Sequence, residues 1–118
     1  REASWHYEKR EERTERTLMK LMTKEIERKL PPMYSTDGDD TRKVVVKYFT
    51  PDSNWTWYVF EGEKTEDGDY EFYGLVDGFE KALGYFTLGE LEGARGPMGL
   101  PIERDLYYTG ETYKELMR

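Results

Sequence analysis

Residues 43 to 60 read Lys-Val-Val-Val-Lys-Tyr-Phe-Thr-Pro-Asp-Ser-Asn-Trp-Thr-Trp-Tyr-Val-Phe. Their reading decides the fold. Val44, Val45 and Val46 are β-branched, and Tyr48 and Phe49 are aromatic; both types suit a pleated, half-buried surface. The run predicts strand one over 43 to 50. Pro51, Asp52, Ser53 and Asn54 are turn formers, so the chain returns as strand two over 55 to 60. Alternation places Trp55, Trp57 and Val59 on one face and Thr56, Tyr58 and Phe60 on the other. A strand apolar on both faces belongs in the middle of a sheet, covered on both sides.

Working outward, Asp67-Gly68 offers a hairpin turn, and 70 to 76 returns as strand three. After the Asp77-Gly78 turn, 83 to 86 makes a short strand four. Thr87-Leu88-Gly89-Glu90 fits a capping box, so a helix of about two turns begins there and ends at Gly96-Pro97. Residues 99 to 105 read as a loop or edge segment. A last amphipathic turn or two over 111 to 117 points Tyr113, Leu116 and Met117 inward. Upstream, Thr23 caps a helix over 24 to 30 that Pro31-Pro32 stops.

The fold class predicted is α+β: an N-terminal helix, an antiparallel meander of about four strands, a short capped helix and a C-terminal helical turn. A chain of 118 residues has room for one core, so residues 19 to 118 form one domain. Residues 1 to 18 carry five acids and five bases, with Trp5 and Tyr7 as the only large apolar groups upstream of Leu18. They read as a charged appendage or as upstream sequence translated from a purine-rich stretch. The competing reading is a helix over 8 to 30, since Leu18, Met22 and Ile26 recur every four residues.

Composition excludes much chemistry. The chain has no cysteine, which removes disulfides, thiolate metal sites and cysteine nucleophiles. The only histidine is His6, outside the domain body, so no histidine dyad or triad can form there. Asp37-Gly38-Asp39-Asp40 lacks the spacing and distal Glu of a calcium loop. The glycines match neither dinucleotide nor phosphate-loop patterns. Acid pairs such as Glu90 with Glu92, or Glu103 with Asp105, read as solvated or salt-bridged. No catalytic residue, cofactor site or metal site is therefore expected, and the protein reads as a non-enzyme. The apolar runs are too short to span a bilayer and no signal segment is visible, so the expected location is the cytoplasm.

Charge is uneven. The net charge is −7, and residues 61 to 80 carry eight acids against Lys64 alone. Such a segment repels phosphate, which disfavours direct nucleic-acid binding. All eight acids are expected on the surface, because unpaired carboxylates are costly to bury. Two sets of residues are candidates for a partner site. Trp55 and Trp57 could form an aromatic platform or fill the core. Arg95 and Arg104 stand beside glycine or proline turns and could aim at a partner or pair with Asp105 or Glu103. The alternative set is the acidic surface of Glu63, Glu66, Asp67 and Asp69.

Four strings carry a resemblance. They are Leu-Met-Thr-Lys-Glu-Ile-Glu-Arg-Lys-Leu-Pro-Pro-Met-Tyr-Ser-Thr (21 to 36), Tyr-Phe-Thr-Pro-Asp-Ser-Asn-Trp-Thr-Trp-Tyr (48 to 58), Leu-Gly-Tyr-Phe-Thr-Leu-Gly-Glu-Leu-Glu (83 to 92) and Arg-Gly-Pro-Met-Gly-Leu-Pro-Ile-Glu-Arg-Asp-Leu-Tyr (95 to 107). Over about residues 19 to 110 the chain resembles a family of short bacterial proteins classed as a domain of unknown function. Its members are commonly encoded on plasmids, phages and conjugative elements. Thr87 stands where the family has Ser and Met33 where it has Leu, and both exchanges keep the chemistry. The resemblance implies no catalytic residues. With that setting, the leading expectation is a non-enzymatic accessory or interaction domain of a mobile genetic element, with a protein as partner. The alternative is an acidic DNA mimic that inhibits a host nuclease or restriction-type defence system.

Overall fold

A computed structural model describes residues 19–118. The appendage expected over residues 1 to 18 lies outside the described residues. Residues 19 to 23 are not helical, which rules out an unbroken helix over 8 to 30. Helix α1 (Lys24–Lys29) starts where Thr23 Oγ1 accepts the Ile26 N–H at 3.2 Å. Acids fill its first turn and bases its last, as the helix dipole favours. Leu30 is extended, the conformation that a following proline imposes.

The sheet is antiparallel throughout and has five strands: β1 (Val46–Phe49), β2 (Thr56–Lys64), β3 (Tyr70–Asp77), β4 (Lys81–Thr87) and β5 (Glu103–Arg104), in the order β4-β3-β2-β1-β5. The meander of four is correct, and the fifth strand falls within the segment read as a loop or edge. It has only two residues, opposite Tyr48 and Phe49, too few to show any alternation in sequence. β1 is shorter than the apolar run suggested, because the Val44 N–H is taken by the Glu111 carbonyl of the C-terminal segment. β2 is longer, continuing through charged residues past a bulge between Val59 and Glu61.

Both faces of the sheet are covered, as the two-faced apolar pattern of strand two required. On one face Val46, Tyr48, Val59 and Phe72 pack beneath Leu21, Ile26, Leu88 and Leu91. On the other, Val44, Phe60 and Leu75 pack against Leu116, with Tyr58, Tyr108 and Tyr113 around them. The Tyr48 hydroxyl, inside the first core, donates to the Leu21 carbonyl at 2.5 Å. This bond ties the segment before α1 to the middle of the sheet.

Helix α2 (Leu88–Gly93) carries both halves of the expected capping box at Thr87 and Glu90. It stops at Gly93, earlier than Gly96-Pro97. Helix α3 (Tyr113–Leu116) has a second capping box, Thr112 with Glu115. Leu116 is buried as expected, but Met117 is 47% exposed. The helix ends one residue before it, so Met117 no longer follows the helical stripe.

Candidate functional site

The turn between β1 and β2 builds the site. The Thr50 N–H donates to the Trp55 carbonyl at 3.0 Å, and the Trp55 N–H donates to Thr50 Oγ1 at 3.0 Å. Trp55 is thereby fixed at the mouth of the hairpin. Its ring stacks on Trp57 with centroids 6.1 Å apart, and Phe79 meets it edge-on at 5.5 Å. Gly78 lies directly under the ring; a Cβ there would fall 2.4 Å from it. Both tryptophans are half-buried. They are neither pure core nor a flat exposed platform: Trp55 stands between two hollows and Trp57 lines one of them.

One hollow, about 590 Å³, is lined by Phe49, Trp55, Lys47, Arg104, Asp105 and Tyr107 among others. The second, about 390 Å³, is lined by Trp55, Trp57, Arg95, Pro97 and Ile102 among others. Thr50, Ser53 and Trp55 line both, so the hollows adjoin. All four residues singled out for partner binding therefore gather around Trp55, with Trp57 and Arg95 on one side and Arg104 on the other. Large apolar side chains stand exposed nearby: Phe79 is 96% and Tyr107 90% exposed, with Met98 and Leu106 also exposed.

Neither arginine takes the carboxylate partner expected of it. Arg95 Nη1 donates to the Glu92 and Ala94 carbonyls at 3.0 and 2.7 Å, closing the C-terminal end of α2. Arg104 Nε donates to the Lys20 carbonyl at 3.1 Å. Asp105 lies 3.8 Å from Lys47 Nζ instead. β5 holds Arg104 toward residues 19 and 20, where its backbone N–H meets Met19 Sδ and its Nε the Lys20 carbonyl.

Asp52 is a positioning residue that the sequence did not single out beyond its turn. Its Oδ2 accepts the Met98 N–H at 2.8 Å, docking the 96 to 100 loop against the β1–β2 turn. Gly96 permits the approach, since a Cβ there would lie 1.6 Å from Asp52 Oδ1. A turn-forming Asp facing a Gly-Pro loop was the available signal; their separation in sequence hid it.

The acidic segment is not a uniform surface. Glu63, Glu66 and Asp67 are exposed. The Thr65 hydroxyl bonds to Asp67 and holds its carboxyl below the usual range. Asp69 is half-buried, with Oδ1 accepting the Tyr70 and Gly89 N–H groups at 2.7 and 3.0 Å. Glu61 contradicts the expected exposure outright at 1% exposed. Its carboxylate accepts the Tyr34 N–H at 2.7 Å and the Thr36 N–H at 2.9 Å, and the Thr36 hydroxyl as well. Burial is tolerated because these donors replace water. The Thr36 carbonyl in turn accepts from buried Arg42 Nη1 at 3.0 Å, and the Arg42 guanidinium lies over the Tyr113 ring at 4.5 Å.

Among the described residues no group of three or more His, Asp or Glu is placed to hold a metal ion, and no helix is long and apolar enough to cross a membrane. Over residues 14–115 the sequence matches the family described as Protein of unknown function (DUF2958). The chain belongs to that family. The match begins upstream of the Met19 boundary set from composition, and it takes in both the tryptophan turn and the acidic hairpin. No curated protein and no solved structure matches the chain.

Proposed function

We propose that this member of the DUF2958 family is a non-enzymatic interaction domain that grips a protein partner at the two hollows flanking Trp55. The observation that carries the reading is the stacked Trp55–Trp57 pair, half-exposed, with Arg95 and Arg104 beside it and exposed Phe79 and Tyr107 around it. Aromatic and arginine side chains at a concave surface are the types that dominate binding energy at protein interfaces. A protein segment offering an apolar anchor and a carboxylate fits such a site. Service as an accessory of a plasmid, phage or conjugative element rests on the resemblance carried by the strings around residues 21 to 107. A cytoplasmic location accords with a chain that has no cysteine.

Charge mimicry is the weaker reading, because mimicry needs acids arrayed outward like phosphates. Glu61 points into the fold and Asp69 is spent on backbone donors. Affinity capture from the natural host, with the partner identified by mass spectrometry, tests the proposal. The wild type is expected to retain a partner that Trp57→Ala and Arg104→Ala each lose, the latter without a change in far-UV circular dichroism. A partner retained by both variants overturns the assignment.

A further inference from the structure

The two edges of the sheet are unequal. β5 is two residues long, whereas β4 runs for seven, Lys81–Thr87, in unbroken register with β3. Sheet edges are ordinarily protected by brevity, proline, bulges or repeated charges. β4 has none of these: its central residues are Ala82, Leu83, Gly84, Tyr85 and Phe86. Leu83 is 37% and Tyr85 55% exposed. Among the described residues, no backbone bond outside the β3 ladder reaches residues 82 to 86.

We propose that β4 pairs antiparallel with β4 of a second copy of this chain, joining two sheets into one of ten strands. The register that uses every residue is centred on Gly84, with Lys81 opposite Thr87, Ala82 opposite Phe86 and Leu83 opposite Tyr85 of the second copy. Together with the observed pairing of β3 and β4, this register lines up rows of matching chemistry across the seam. On one face Leu75 and Leu83 continue into Tyr85 and Tyr73 of the second copy. On the other, Val76 and Ala82 continue into Phe86 and Phe72 of the second copy. The outer row runs Asp77, Lys81, then Thr87 and Glu71 of the second copy; within its own chain Lys81 Nζ donates to the Leu116 carbonyl at 2.9 Å, and its charge stands in the row between Asp77 and the second copy's Glu71. Glu71 of the second copy is two strand spacings away, about 10 Å, within reach of two long side chains. A two-fold contact requires this self-complementarity of one surface, and the sequence of β4 supplies it on both faces. A foreign extended peptide would gain the backbone bonds but not the matched rows.

Gly84 gives the test. A Cβ there meets nothing within 4 Å, so side chains can be placed at it without disturbing the protomer, yet in the dimer two copies would face each other. Sedimentation equilibrium of the full chain over a wide concentration series is expected to approach twice the 14.1 kDa protomer mass. Gly84→Lys and Gly84→Glu are each expected to sediment as monomers with unchanged circular dichroism, because like charges directly opposite repel. An equimolar mixture of the two is expected to regain the doubled mass. Hydrogen exchange of the wild type provides a readout free of substitutions: amides facing outward from residues 82 to 86 should slow as concentration rises. A wild type that stays monomeric, variants that still dimerise singly, a mixture that stays monomeric, or exchange indifferent to concentration would each overturn the proposal.

Discussion

At the residue scale, Glu61 shows how a carboxylate in an acid-rich segment can be structural. Its acceptors close the loop of residues 34 to 36 over the bulged part of β2. Removing it leaves backbone donors unpaired in a buried place, which costs about 1–3 kcal/mol. Glu61→Ala is therefore expected to lower the urea midpoint by that much in free energy, whereas Glu66→Gln, on the exposed hairpin, should stay within about ±0.5 kcal/mol. Equal effects at the two positions would contradict the burial of Glu61. Tyr48 sets a pH dependence. Burial raises its pKa above the ordinary tyrosine value, so the folded state holds the proton more tightly than the unfolded one. The contribution is fully present below about pH 10, the unfolded tyrosine value, and falls as the unfolded chain ionises first. Stability should fall on alkaline titration above about pH 10, and Tyr48→Phe should flatten part of that fall while losing the bond to Leu21.

At the scale of elements, starts and turns were legible in short spans, whereas the end of α2 at Gly93 and the exposure of Met117 were not. The capping box at Thr87 needs only four residues to be seen, and Thr87→Ala is expected to cost about 0.5–2 kcal/mol in thermal or chemical unfolding. The stop at Pro31-Pro32, the turn at Asp67-Gly68 and the centrality of strand two follow likewise from short spans of sequence. Gly68 has φ of 87°, a conformation that explains its place in the hairpin. The extents missed depend on distant partners. β5 realises the edge alternative read for residues 99 to 105, and its two-residue extent is set by the edge that β1 offers opposite Glu103 and Arg104. β2 passed the point where its apolar pattern stopped, since Pro31 and the 34 to 36 loop supply partners for Gly62 and Glu61. The site was half legible. Its tryptophans and arginines stood out by type, but their convergence required the Asp52 contact to the 96 to 100 loop, a link across more than forty residues.

At the scale of the whole domain, the aromatic site and the acidic hairpin lie at opposite ends of the same strand. β2 starts at Thr56, beside Trp55, and ends at Lys64, before the acidic tip. Nine strand residues span about 30 Å, roughly three to four Debye lengths at physiological ionic strength. The acids at the tip are thus screened from Arg104, and substitutions at the tip should leave its contacts unchanged. Replacing Glu63, Glu66 and Asp67 by their amides changes the net charge from −7 to −7 + 3 = −4. The expected result is a stability within about 0.5 kcal/mol per site of the wild type, and unchanged partner affinity at physiological salt. Asp69 is left out of this set because its Oδ1 holds the Gly89 N–H at the start of α2; Asp69→Ala should lower the melting temperature where the three amides do not. The measurement is calorimetric titration of the captured partner at two salt concentrations. Affinity that drops with the amides, and falls steeply with salt in the wild type, would move recognition to the acidic end and revive charge mimicry. Affinity that ignores them, while Arg104→Ala abolishes binding, keeps recognition at the tryptophan end.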